Sequence, residues 1–288
     1  MLIGADGSFE QDFGLAGEIK MGEELRVNAE RFTGFADLYD DARPKPPEKV
    51  VEIILRYLGQ RPCAVVDLGC GTGLSTLIWS GISKEVIGID PSTDMLNIAK
   101  EKAAGLDNIR FIQAFSDKTG LADESADVVT CSQSFHWMNP ETTINEVARI
   151  LKDGGVFAVY DCDWPPVINW EAEKEYGALF CKVREFEETN PALKGSFRSW
   201  PKDRHLANMK NSGKFRYLRE VVFSSSEECD ATRFINIALS QGSLQSIIKT
   251  GISEFAPYIE EFKERVTAIL GNKKYTIDFC YRMRIGVK

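Results

Sequence analysis

The chain has 288 residues, 43% of them apolar and 27% charged, with a formal net charge of −8, seven cysteines and two histidines. That length suffices for one large domain with insertions, and the composition is that of a soluble globular protein. The acidic balance sets a polyanion aside as the default partner; the cysteines include no Cys-x-x-Cys pair and give neither a disulfide framework nor a zinc site, and no apolar run approaches the ~20 residues of a membrane span.

Residues 1–30 are Gly-rich, acidic and weakly periodic, and read as a mobile lead-in to a single domain over 31–288. They carry acids and glycines where a signal peptide needs positive charge and an apolar core, so a reduced, cytoplasmic protein is expected. Phe32, Phe35, Leu38 and Tyr39 share one helical face, which the run from Arg43 to Pro47 ends. Helical spacing resumes over 48–58 and stops at Gly59. From Cys63 to Cys162 strand and helix patterns alternate, which predicts a parallel sheet with helices on both faces. Strands are predicted at 64–68, 86–90, 109–114, 127–132 and 155–161. Asn139 as N-cap, Pro140 in the first turn and Gly154-Gly155 as stop mark the helix between the last two. Right-handed crossovers put the carboxyl ends of these strands on one edge, where ligands of open α/β sheets bind.

Past Asp161 the alternation ceases. A helix is predicted after Asn169, ending at Asn190-Pro191; then comes a basic, loop-like stretch over 194–213, a strand from Phe215, two or three helices over 227–270, and a strand over 275–287. The resulting division is a core over 31–162, helical cap insertions over 163–213 and 227–272, and closing strands over 214–226 and 273–288. Residues 194–219 carry a charge of +7 and the remainder −15. Such a segment can grip carboxylates through Arg198, Arg204 and neighbouring Trp200, or contact RNA or a protein, or be a solvated loop.

The most informative stretch is Val65 to Leu74, an apolar strand ending in Asp67 and followed by Gly69, Gly71 and Gly73, which let the backbone turn and lie against a ligand. Asp90, 21 positions after Gly69, suits the two hydroxyl donors of a ribose. Leu74 stands where a dinucleotide loop has its third glycine, and Asp67 suits a cationic amino group better than a phosphate. The cofactor that follows is S-adenosylmethionine, with S-adenosylhomocysteine as product.

The run from Val65 to Leu74, Gly88-Ile89-Asp90-Pro91-Ser92 with Met95, the Asp127 strand and Leu151-Lys152-Asp153-Gly154-Gly155 together resemble the motifs of class I S-adenosylmethionine-dependent methyltransferases. Phe35-Ala36-x-x-Tyr39, Arg43-Pro44, Ser116-Asp117 and the run from Gln133 to Trp137 resemble, more narrowly, the trans-aconitate methyltransferase-like group. The resemblance implies a Rossmann-like sheet of seven strands, the last antiparallel, with a helical cap. It implies that Gly69, Cys70, Gly71 and Gly73 line the methionine and ribose, that Asp67 faces the ammonium directly or through water, and that Asp90 takes the ribose. Pro91 and Met95 would flank the adenine; Tyr39 and Arg43 would cover the cofactor. Phe115 stands where many relatives have an adenine-binding Asp, and Ser132 and Gln133 join the cofactor wall. His136 is the nominated base or donor to an acidic substrate, with Trp137, Arg198, Trp200 and Arg204 toward the acceptor; no metal is expected. The implied partner is a small acidic metabolite, with carboxylate O-methylation favoured; the alternatives are methylation of RNA or protein through residues 194–219, or a non-catalytic module that only binds the cofactor.

Overall fold

The computed structural model describes residues 42–190 and 199–288. The lead-in over 1–30 and the helical face from Phe32 to Tyr39 lie outside them. Five strands follow the alternation, β1 (Ala64–Leu68), β2 (Glu85–Asp90), β3 (Ile109–Gln113), β4 (Ala126–Ser132) and β5 (Leu151–Cys162). With β6 (Tyr217–Cys229) and β7 (Tyr275–Val287) they form one sheet of seven strands in the order β3-β2-β1-β4-β5-β7-β6. β7 is antiparallel to both neighbours, Met283 lying opposite Tyr160 and Val221. The order reverses between β1 and β4, whose register sets Asp67 beside Thr130, and a crevice opens at their carboxyl ends.

Two apolar layers cover the sheet, and side-chain alternation assigns residues to them. Val65, Val128, Val156 and Ala158 face one layer; Val66, Val129, Phe157 and Val159 face the other. On the first side pack α1 (Glu48–Leu58), α5 (Trp170–Thr189), α7 (Ala231–Leu239), α8 (Gly242–Lys249) and α9 (Ala256–Leu270). α4 (Pro140–Ile150) packs on the second through Ile144, Val147 and Ile150. The ends of these helices follow their sequence signals. Gly59 takes the left-handed conformation and returns its N–H to Leu55, while Asn139 and Asn169 accept the first-turn amides of α4 and α5.

Three boundaries differ from expectation. α4 stops at Ile150, and Gly154-Gly155 lies inside β5. Between the pairs Ala126–Leu151 and Val128–Val156, β5 advances five residues against two on β4, and Gly154, at φ 76°, forms that bulge. The stretch expected as a loop holds α6 (His205–Asn211), anchored by buried His205 and Met209. β6 continues to Cys229, because each of its residues through Cys229 finds a partner on β7. No helix among the described residues is long and apolar enough to cross a membrane.

Candidate active site

The chain leaves β1 through Gly69, whose N–H donates to Ile89 O at 2.7 Å and ties the loop to β2. Gly69 sits at φ 66°, and a Cβ there would stand 2.6 Å from Ser134 Cβ, so only glycine fits. Gly71, at φ 53°, is different: a Cβ would meet no protein atom within 4 Å. Its N–H donates to Asp90 Oδ2 at 2.9 Å, and Ser92 N–H donates to Oδ1 at 2.9 Å. Burial pushes the Asp90 carboxyl up to about 6, against the lowering effect of those two donors.

These residues form one end of a cavity of about 380 Å³ along the carboxyl edge of the sheet. Gly69, Gly71, Asp90, Pro91, Met95, Phe115, Ser132 and Gln133 all line it, together with Arg43, His136 and Trp137. Gln133 reaches the wall by adopting φ 52°, a strained conformation of the kind that collects at functional sites. Arg43 lies with its guanidinium 5.3 Å from the centre of the Trp164 ring and donates to Ser240 O at 3.3 Å.

Several expected residues stand elsewhere. Asp67 is wholly buried and does not face the cavity: Oδ2 accepts from Ser75 and Thr76 hydroxyls at 2.6 and 2.8 Å, and Oδ1 from Thr130 at 2.8 Å. Three hydroxyls hold it, and it anchors the turn from beneath the loop without lining the cavity. Cys70 and Gly73 are also absent from the lining; Cys70 is buried, and Gly73 caps the short helix α2 (Leu74–Leu77) against Ala99. Trp200 and Arg204 do not line the cavity, although Trp200 N–H holds His136 O at 2.8 Å. Tyr39 and Arg198 lie outside the described residues. The basic stretch is divided: Lys202 turns to Asp161, and Arg216 to Asp153.

Sequence reasoning passed over Ser134, Met138, Gln241 and Ser243, which line the cavity, and Asp161 beneath it. Asp161 carried a signal like that of Asp90, an acid near the carboxyl end of a strand; the others carried none. Its Oδ1 lies 3.0 Å from Lys202 Nζ and 3.5 Å from His136 Nδ1, and its Oδ2 lies 3.3 Å from an Arg284 guanidinium nitrogen and 3.8 Å from His205 Nε2. Burial alone would raise this carboxyl; the Lys202 ammonium and the two imidazoles hold it well below the usual carboxylate range. Burial pushes both imidazoles down to about 4, so they are neutral at pH 7. His136, Asp161 and His205 place ligand-type atoms within 4.8 Å of one another. A divalent cation there would face the Lys202 and Arg284 charges, each opposing it by about 8 kcal/mol at ~4 Å and an effective dielectric of ~20.

Residues 66–159 match the family model described as a methyltransferase domain. The chain is 39% identical over 136 residues, 46% of its length, to a Saccharomyces cerevisiae protein named as a probable S-adenosylmethionine-dependent methyltransferase. It is 27% identical over 223 residues to the ubiquinone/menaquinone biosynthesis C-methyltransferase of Campylobacter jejuni, covering 69% of this chain and 83% of that one. The matched part spans about half the length of the first curated relatives, 47% of the yeast protein. Among solved structures, a protein from Anaeromyxobacter dehalogenans assigned to the type II methyltransferases superposes with a TM-score of 0.61 at 18% identity, over 85% of this chain and 97% of that one. A Haemonchus contortus phosphoethanolamine N-methyltransferase solved with S-adenosylhomocysteine superposes with a TM-score of 0.54 at 14% identity, over 92% and 60%. The cavity, Asp90 and the glycine turn stand on one sheet edge within the stretch that matches, and residues 66–159 are similar to a methyltransferase domain.

Proposed function

We propose that this chain transfers a methyl group from S-adenosylmethionine to an oxygen of a small acidic metabolite. The observation that carries the cofactor side is Asp90. Each of its oxygens accepts one backbone N–H; a carboxylate offers about four lone-pair sites, so about two remain for the two hydroxyls of a ribose. The open space beside Gly71 lets a ligand lie against the backbone. Pro91, Met95 and Phe115 line the cavity and would flank the adenine, and Arg43, on the same lining, would receive the methionine carboxylate. When bound, S-adenosylmethionine supplies an electrophilic methyl group on a sulfonium.

What remains for the chain is to orient the acceptor and exclude water. His136, Trp137 and Lys202 share the cavity wall, and the Lys202 ammonium supports an anionic substrate. A carboxylate acceptor, the form the family resemblance favours, is ionised at neutral pH and needs no base; a hydroxyl acceptor needs its proton received.

Calorimetry with S-adenosylmethionine tests the cofactor site. Asp90→Ala is expected to weaken binding about 100-fold, the equivalent of two lost charged hydrogen bonds, with the circular dichroism spectrum unchanged; equal affinity in the variant refutes the site. Incubation with a panel of polycarboxylates tests the substrate class, and S-adenosylhomocysteine formation no higher than in its absence refutes it.

A further inference from the structure

Asp161 has more partners than a structural acid needs, and they are unequal. Arg284, itself buried, holds Oδ2 from below and is fixed in turn by its Nε donating to Glu220 at 3.0 Å. His205 is also buried, edge-on to Phe135, its Nε2 at ion-pair distance from Oδ2 and neither ring nitrogen hydrogen-bonded to a described residue. Lys202 Nζ at 3.0 Å and His136 Nδ1 at 3.5 Å stand against Oδ1 at ion-pair distance, and neither Oδ1 nor Nδ1 has a hydrogen-bond partner among the described residues. Lys202 and His136 line the cavity. The backbone carbonyl of His136 accepts from Trp200 N–H, and its ring lies against Trp137 at 4.6 Å between centres.

A neutral imidazole carries one N–H, and which nitrogen bears it is set by what the other faces. With Nδ1 buried against a carboxylate oxygen, the tautomer with the proton on Nδ1 aims a donor at Asp161; the other sets a lone pair against a negative charge. The first tautomer leaves Nε2 as an acceptor. An ionised carboxylate placed there meets a lone pair, whereas a hydroxyl meets a partner for its proton. Lys202, on the same Asp161 oxygen, sets a positive charge beside it.

We propose that Asp161 is the positioning residue that keeps His136 in the Nδ1–H tautomer, and that the acceptor is a hydroxy acid whose hydroxyl faces His136 Nε2 and whose carboxylate faces Lys202. The inference rests on the methyl-transfer reading and names its acceptor atom. As the oxygen–methyl bond forms and the sulfur–methyl bond breaks, the sulfur keeps the electron pair and leaves as a neutral thioether. The hydroxyl proton passes to His136 Nε2, the imidazolium is held by Asp161 through Nδ1–H, and the proton goes to water as the ether product leaves.

Two measurements on the full chain test this. The nitrogen-15 imidazole spectrum of the ligand-free protein contains two histidines, assigned with a His205→Gln variant. His136 is expected as the Nδ1–H tautomer, becoming mixed in Asp161→Asn; an Nε2–H tautomer in the unsubstituted chain overturns the role of Asp161 without any variant having to fold. Methyl-tritiated S-adenosylmethionine is then incubated with malate, tartrate and citrate, and in parallel with succinate and tricarballylate, which lack the hydroxyl. The expected product is alkali-stable label, an ether, from the hydroxy acids and at least tenfold less from the others. Alkali-labile label from both sets is methyl ester; it overturns the hydroxy-acid inference while methyl transfer to an acidic metabolite stands. Label in neither set overturns both.

Discussion

Gly69 and Gly71 share a left-handed backbone but answer to different constraints. At Gly69 an added Cβ meets both a positive φ and the Ser134 side chain at 2.6 Å; Gly69→Ala is expected to cost about 3 kcal/mol, from about 1–2 for the conformation and about 1–3 for overpacking. At Gly71 only the conformation is paid for, so Gly71→Ala is expected to cost about 1 kcal/mol while weakening cofactor binding, because its Cβ enters the ligand's space. Urea midpoints compared with calorimetric affinities separate the two positions, and equal destabilisation would contradict the assignment. Asp67 shows the opposite lesson. An acid before a glycine turn suits an ammonium, but Ser75, Thr76 and Thr130 occupy it, and the last of these comes from another strand.

The start of the sheet depends on one acid at the level of its elements. Asp127 Oδ2 accepts the amides of Cys63 and Ala64 at 2.7 and 2.8 Å, tying the entry of β1 to β4, and Oδ1 accepts from Lys152 at 2.8 Å at the β5 bulge. Asp127→Ala leaves two backbone donors unpaired, and a loss of about 2–3 kcal/mol is expected. Hydrogen exchange should speed at Ala64 and its neighbours before it speeds in β7; uniform change across the sheet would argue against a local tie. The bulge itself explains the displaced helix stop. Gly154-Gly155 looked like punctuation because glycine ends helices, yet α4 ends without glycine, Leu151 turning extended.

Across the whole molecule, the two histidines make stability depend on pH. Both are held near 4 by burial, against 6.5 when free. Between these values the unfolded chain binds protons that the folded chain refuses, so stability falls as pH drops from about 6.5 to 4. At pH 5 this amounts to about 2 kcal/mol per histidine. Asp90, raised to about 6, works in the opposite sense and returns about 1 kcal/mol. Asp67, also raised by burial, acts with it. A net loss of about 2–3 kcal/mol between pH 7 and pH 5 is expected from urea unfolding, and His205→Asn should reduce it by about two-thirds. A flat profile would show that neither imidazole is held neutral.

The sequence by itself determined the sheet and the edge along which the cavity lies. The bounds of β1 and β7 coincide with the predicted strands, and the Asn139 and Asn169 caps stand where they were expected, because periodicity and capping are local and act within a few residues. Asp90 and the glycine turn were legible for the same reason, since a strand end and a turn carry their own chemistry. Only the tertiary structure decided that Asp67 is held by three hydroxyls, that Lys202 and His136 meet on one Asp161 oxygen, and that Gln241 and Ser243 line the cavity. Those contacts join residues far apart in the chain, and their energies depend on burial and on the last ångström of separation. A linear pattern carries neither quantity until the chain has folded.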